Sequence, residues 1–572
     1  MFRSLILFGV VTVFVTSCAP AAPRTAPAGG PVAGTGAPPQ ERTLTIALAF
    51  EPKYVSALAP TVSAAAGNFF LRPFNGFLDL IDDQNRPLPY LAEALPALNT
   101  DTWIVFPDGR METRYRLKPN LVWHDGMPLT AHDFAFGFRV VTPATGFSTA
   151  GAPFSVMDEV VAVDDRTLII RWKSLYPDAA VLQGGGSRLG PPPFPRHLIE
   201  ESFLNDPLES FQNHQYWGRE FVGAGPFKLD HWELGSHMDA LAFDQHALGR
   251  PRIDRIRWQF IPDANTVAAS LRAGTLHVAL NSINFEQALQ LKREWAGNNA
   301  GTGTFTATSL AAVVFQFRDF ANPRAIRDVR VRRALAHGVD KQTLGETIWR
   351  GELTMMDTIF EPTRDYYPVI DRAITKYPFD PRASERLMND AGYTKGPDGF
   401  FASPTEGKLN LDLKSGDGRP ELPVLAAGWR EVGFDAQESI VPRGLVLDPE
   451  VLGTFPALYL GVFGAHEVQQ MTVLLASQAG SAENRWRGEN RGGWINPEYD
   501  RLVQAFNTTL DPNERVQQRA QIARVLSEDL PKLVLSFNPN AHAYLAPVKG
   551  VTTPSLYTTG QLTWNIEKWE LN

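Results

Sequence analysis

The chain has 572 residues, more than one hydrophobic core supports, so two or more lobes are expected. Its 44% hydrophobic and 20% charged residues are ordinary for a soluble globular protein, and a mean hydropathy of -0.18 excludes a polytopic membrane protein. A formal charge of -8 with no long run of one sign leaves no basic footprint for nucleic acid.

At the N-terminus Arg3 opens a short charged region, and residues 5–15 form an apolar run too short to span a bilayer. Val15, Thr16 and Ser17 then precede Cys18, the one cysteine of the chain. The pattern resembles the lipobox of bacterial lipoproteins, which implies cleavage before Cys18 and acyl chains on its thiol and new amino group. An incidental cysteine is the alternative, but this one occupies the cleavage position and has no other thiol to pair with. Residues 19–40 are almost wholly Ala, Pro, Gly and Thr, with Arg24 the only charge. Such a segment buries too little to fold, and as a flexible coil it reaches roughly 25 Å, so it serves as a tether.

Residues 43–49 are apolar at Leu44, Ile46 and Leu48 and end at Phe50-Glu51-Pro52, which predicts a first strand. After Phe69-Phe70-Leu71-Arg72-Pro73-Phe74-Asn75-Gly76 and Leu91-Ala92-Glu93 comes the most informative stretch, residues 107–138. Met111, Thr113, Tyr115 and Leu117 alternate with Glu112, Arg114 and Arg116 as a half-buried strand requires, between a turn at Asp108-Gly109 and another at Lys118-Pro119-Asn120. Leu121-Val122-Trp123 stops at His124-Asp125-Gly126, where Gly126 supplies a positive φ. Thr130 with Asp133 three residues on predicts a capped helix that buries Phe134 and Phe138. His124-Asp125 and His132-Asp133 straddle a turn and a helix start, and without HExxH or clustered Cys they are taken as caps rather than metal ligands.

Residues from about 80 to 215 form a loop-rich insertion. Its glycines at 184–186 lack the flanks of a phosphate cradle or a dinucleotide fingerprint, and prolines follow at 191–193. Gly223-Ala224-Gly225-Pro226-Phe227 makes a turn, residues 253–260 alternate as a strand, and Ile261-Pro262-Asp263 leads into a helix ending at Ala273-Gly274, before a short strand at 276–280. A second region opens near Thr308. There Val331, Leu335 and Val339 form one helical stripe, Arg330, Arg332 and Arg333 are assigned to a solvated face, and Asp340 caps the next helix. Asp380-Pro381, Asn496-Pro497 and Asp511-Pro512 each start a further helix, and from Leu533 the chain is strand-like again.

The strand with Leu117-Lys118-Pro119, Trp123-His124-Asp125-Gly126, Pro128-Leu129-Thr130-Ala131 and Asp133-Phe134-Ala135-Phe136 resembles the signature of extracellular solute-binding protein family 5, the oligopeptide and dipeptide receptors of bacterial ABC importers. The resemblance extends from Thr43 to the C-terminus through the elements just described. It implies an α/β, two-lobed periplasmic-binding-protein-like fold, type II in its three-domain variant, with the ligand cleft between lobes. The implied division is a signal peptide at 1–17, lipidated Cys18 and linker at 18–41, lobe I from 42–80, 216–305 and 533–572, an inserted domain II at 81–215, and lobe II at 306–532. The implied protein is a monomeric receptor, lipid-anchored at the outer face of the cytoplasmic membrane or in the periplasm. It takes up di- or oligopeptides and delivers them to permease subunits, with no nucleic-acid partner, cofactor, metal or catalytic residue. An oligosaccharide or other non-peptide solute stays open as ligand. GxSxG, Walker, HExxH and CxxC patterns are absent, which lowers the odds of an envelope enzyme, and a structural envelope protein would show repeats or a low-complexity body after Gln40.

Six ligand-site residues follow from the resemblance. Phe50 ends the strand that approaches the cleft in the family, and Asn75 stands where the family's "EGL" has Glu. The family's "G-W-x-A-D" aspartate pairs with a ligand α-ammonium, a charge-assisted contact. Here residues 458–466 place Phe463 in the aromatic position and Gly464 after it, with His466 in place of the aspartate. A neutral His offers no fixed negative charge, so amine recognition is in question, and Glu467 substitutes only if the loop turns it inward. An offset alignment, or a surface His466, is the competing interpretation. Trp494 is a second aromatic candidate for the cleft wall.

Overall fold

The computed structural model describes residues 42–56, 58, 64–142, 145, 153–182, 190–353, 355–416, 418–464, 466–552 and 562–572. Residues 42–572 form one compact unit. The expectations for Cys18, the tether and the glycines at 184–186 lie outside the described residues.

Ten strands make one sheet. In chain order they are β1 (Thr43–Leu48), β2 (Phe227–Glu233), β3 (His237–Ala242), β4 (Arg255–Phe260), β5 (Val278–Leu280), β6 (Gly301–Phe315), β7 (Asn410–Gly416), β8 (Asp435–Val441), β9 (Leu458–Gly464) and β10 (Lys532–Leu545). Their lateral order is β8-β7-β9-β6-β10-β5-β1-β4-β3-β2. On one side β1 runs parallel to β4 and β5, and on the other β7 runs parallel to β8 and β9. The long antiparallel pair β6 and β10 joins the two halves.

Each half is a three-layer sandwich, as alternation within the strands demands. Leu44, Ile46 and Leu48 bury one face of the first half in a core with Phe70, Trp123, Phe134 and Trp258, while Ala47, Ala279 and Ala543 pack the other face against Val267 and Leu289. In the second half Leu458 and Leu460 face Leu335 and Trp429, and Tyr459 and Phe463 face Met471, Tyr499 and Phe506.

The 111–117 segment forms the strand Met111–Arg116 in a separate four-stranded sheet, with Met111, Thr113, Tyr115 and Leu117 buried. Helix α1 (Ala131–Val141) starts at Thr130, whose backbone N–H donates to Asp133 Oδ2 at 2.8 Å. His124 is no metal ligand in waiting. It fastens this turn to the next one, accepting from Gly223 N at Nδ1 (3.1 Å) and donating from Nε2 to Gly225 O (3.0 Å). Burial lowers its pKa to about 4, so the ring is neutral.

One expectation is corrected. In α2 (Val329–His337) Arg332 is buried rather than solvated, and it donates to the carbonyls of Ile326, Arg327 and Asp529, while Arg333 donates to Glu528 O. Glu528 and Asp529 end helix α4 (Pro512–Asp529), where the last carbonyls have no intrahelical partner. The arginines serve as that helix's C-terminal cap, a role that periodicity in α2 alone does not reveal.

Candidate functional site

The strand register locates a waist. β5 ends at Leu280 opposite His542 of β10, and His542 pairs with Thr304 of β6. From the other half β9 ends at Gly464 opposite Ser309 of β6, whose partner in β10 is Asn538. Over the residues between, about 15 Å at a strand's rise, the ten-stranded sheet narrows to β6 and β10 alone. The parallel strands of both halves point their carboxyl ends at this gap, the place where open α/β sheets bind ligands.

The ladder is loosened there. A register shift between Ala307 and Ser309 leaves Thr308 as the extra residue of a bulge, next to Ala307, whose partner Pro539 has no N–H to donate. Ser309, Asn538, Pro539 and Asn540 are half-buried, although the rest of both strands around them is mostly buried. Next to the bulge, His542 Nε2 and Thr306 Oγ1 are 2.8 Å apart. Arg419, in the loop after β7, donates to Asn538 Oδ1 at 3.3 Å.

Beyond Gly464, His466 takes the N-cap position of the short helix α3 (Glu467–Thr472) and is half-buried. Glu467 does turn inward, but into the protein. Its Oε1 accepts from Arg519 Nε (2.9 Å) and Nη2 (2.7 Å), and its Oε2 accepts from the Tyr366 hydroxyl. Burial would raise the Glu467 carboxyl, but the Arg519 charge and these hydrogen bonds outweigh it and hold the pKa below its ordinary value. The carboxylate is therefore already neutralised and cannot stand in for an amine-binding aspartate.

Phe463 carries two cations. Lys532 Nζ lies 4.0 Å from its ring centroid and the Arg491 guanidinium 5.0 Å, and Arg491 is also 5.6 Å from the Tyr459 ring. Lys532, 7% exposed, donates to Gln470 Oε1 at 3.0 Å, and the Gln470 amide donates to Gly464 O. Burial, then the neighbouring Arg491 charge, lower the Lys532 pKa to about 7.

Of the residues predicted for the site, Phe463, Gly464 and His466 fall together at the end of β9, and Phe50, 36% exposed, follows β1 in the other half. Asn75 and Trp494 are not brought to the waist surface. Asn75 is buried and its amide donates to Val55 O and Phe70 O. Trp494 is buried against Tyr499 with its Nε1 donating to Asp529 Oδ2, and its neighbour Gly492 abuts Phe315 at the far end of β6. Sequence reasoning missed Arg419, Arg491, Arg519 and Tyr366, because partners such as Tyr366 and Glu467 are 101 residues apart. Lys532 carried a faint signal, a lone charge opening an apolar run.

The family described as bacterial extracellular solute-binding proteins, family 5 Middle, matches residues 93–481. Oligopeptide-binding protein AppA of Bacillus subtilis is 22% identical over 98% of this chain and 97% of its own length. The dipeptide-binding protein of Escherichia coli is 23% identical over 81% of this chain and 84% of its own. Among solved structures, NikZ from Campylobacter jejuni in complex with Ni(L-His) superposes with a TM-score of 0.70 at 22% identity, covering 92% of this chain and 99% of that one.

Proposed function

The chain belongs to the bacterial extracellular solute-binding proteins of family 5, and from that membership we propose that it is the substrate-binding component of an ABC importer, capturing peptides between its two halves and delivering them to a membrane permease. The observation that carries this reading is the two-stranded waist, at which strand ends of both halves converge on half-buried residues of β6 and β10. Relatives of nearly full length bear the names of oligopeptide- and dipeptide-binding proteins. Lobe I is assigned to 42–80, 216–305 and 533–572, domain II to 81–215 and lobe II to 306–532, with Phe50, Phe463, Gly464 and His466 on the cleft walls. Cys18 bears the lipid anchor, residues 19–41 tether the body at the outer face of the membrane, and the receptor works as a monomer without cofactor or catalysis.

The test is calorimetry and small-angle scattering of the full chain with a pool of di- to pentapeptides. Saturable heat together with a smaller radius of gyration is the expected result. No heat and an unchanged radius with peptides, against a response to an oligosaccharide pool, would reject the peptide assignment.

A further inference from the structure

The second half carries on its outer surface a groove of about 490 Å3, within the size range of binding clefts. It lies between the start of helix Lys341–Trp349 and helix Glu421–Val432, with Leu344 and Leu425 at its base and the exposed ring of Phe379 on its wall. Leu425, Ala426 and Trp429 pack inward on the side of β9 that carries Leu458 and Leu460, whereas Tyr459 and Phe463 point to the opposite side. A layer of helix and sheet therefore separates the groove from the Phe463 wall, and a solute bound there does not reach it.

Gly428 sits inside helix Glu421–Val432, where alanine is the better helix former, and a Cβ at 428 would meet no neighbouring group within 4 Å. Packing within the chain gives no reason for the missing side chain. The charges of the groove are one-sided as well. Among the described residues that line it are the carboxylates of Asp340 and Glu431 and no Lys, Arg or His. Asp340 accepts only from its own helix cap, Thr343 N at 3.0 Å and Thr343 Oγ1 at 2.7 Å, and the exposed Glu431 has no hydrogen bond or ion pair among the described residues. The cations next to them in sequence are engaged elsewhere, Lys341 with Met356 O and Asp357 and Arg430 with Ala436 O.

One wall of the groove also touches the first half. Helix Lys341–Trp349 ends with the Trp349 ring 5.1 Å from that of Phe285, and just beyond it Arg350 pairs with Glu286 at 3.4 Å and Glu352 with Lys292 at 2.5 Å. Rotation of one half against the other therefore bears on this helix.

We propose that the groove is the second half's docking surface for the permease, and that its occupant is an apolar permease segment carrying a Lys or Arg. This rests on the receptor reading above. Apolar side chains of the segment fill the space over Gly428 against Phe379 and Leu425, and its cation lies between Glu431 and Asp340, where opposite charge steers the encounter and fixes the register. Because one wall ends on the first half, the fit depends on how the halves are arranged, and the permease is the partner that has to respond to that arrangement.

The test uses the full-length receptor in the bacterium that makes it. p-Benzoylphenylalanine replaces the exposed lining residue Ala427, and the product cross-linked on irradiation is identified by mass spectrometry. A multi-spanning ABC permease subunit is the expected partner, and adding Gly428→Leu or Glu431→Lys should abolish the cross-link. Position 428 opens on free space and Glu431 is unpaired, so both variants should melt no lower than wild type and bind a tripeptide pool within about threefold by calorimetry. Uptake of the radiolabelled pool should fall about tenfold or more, the loss expected when the centre of an interface is blocked. Cross-linking to a second copy of the chain, to a soluble protein or to nothing overturns the proposal, as does uptake by both variants at the wild-type rate. If the wild type neither binds nor takes up the peptides, the peptide reading fails, and the cross-link alone decides the groove.

Discussion

Whether Glu467 belongs to the fold or to the ligand can be decided by a mutant cycle. Its carboxylate receives two N–H bonds from Arg519 and one O–H bond from Tyr366, with side-chain exposures of 13% for Arg519 and 18% for Glu467. Arg519→Met strands the buried carboxylate, which costs about 3–5 kcal/mol, the usual penalty for breaking one side of such a pair. Glu467→Gln keeps an amide oxygen in place of Oε1 and removes the counter-charge, for a smaller loss of about 1–3 kcal/mol. The double variant should be more stable than the sum of the singles implies, with a coupling of about 2 kcal/mol. Urea unfolding of the four proteins, followed by far-UV ellipticity, measures it. Since the folded carboxyl titrates below its unfolded value, the pair's contribution is complete above about pH 4.5 and is lost as the pH falls through the depressed folded pKa. Peptide affinity of Glu467→Gln should stay within about threefold of wild type, because that charge is already spent on Arg519. Unchanged stability together with a tenfold or larger loss of affinity for free-amine peptides would refute the reasoning and make Glu467 the amine partner after all.

His124→Phe keeps the ring's volume but orphans Gly223 N–H and Gly225 O, so unfolding midpoints should show a loss of about 2–4 kcal/mol, and an unshifted midpoint would mean the two turns hold without it. Lys532 faces Arg491, Glu489 and Gln470, and its pKa near 7 lies below the unfolded value of about 10.4. Between those values the unfolded chain binds the extra proton, so wild-type stability should rise from pH 7 to 9 relative to Lys532→Met, and parallel pH profiles would exclude the buried ammonium. Cys18→Ala should move the protein from the membrane pellet to the soluble fraction, and continued sedimentation with membranes would sink the lipid anchor.

What was legible in the sequence was local. Asp263, Asp340, Asp380, Asn496 and Asp511 each accept a backbone N–H three residues on, because a cap needs only its own first turn. Strands within one half announced themselves by alternation. The proposed division between residues 305 and 306 has no such local mark, since it falls inside the continuous strand β6, which both halves share. Arg332 looked solvated because its stripe was judged against α2 alone, whereas the carbonyl it caps lies 197 residues away. Lys532 and Arg491 were invisible as a pair for the same reason: an aromatic ring of β9 brings them together, and no spacing encodes that.

The waist also explains where the molecule can bend. A sheet ten strands wide resists flexing because a bend must distort every ladder it crosses, but between Gly464 and Leu280 only the β6–β10 ladder is crossed. That ladder contains the Thr308 bulge and Pro539, so fewer hydrogen bonds oppose rotation there than in the rest of the pair. Outside the sheet the inserted segment touches the second half through Arg515 with Asp178 at 3.0 Å and Asn85 with Glu361 at 3.3 Å. Polar contacts of this partly exposed kind are worth on the order of 0–1 kcal/mol each, too little to hold the two halves in one arrangement. A solute that bridges β9 and the opposing strand ends could therefore shift the balance with few contacts.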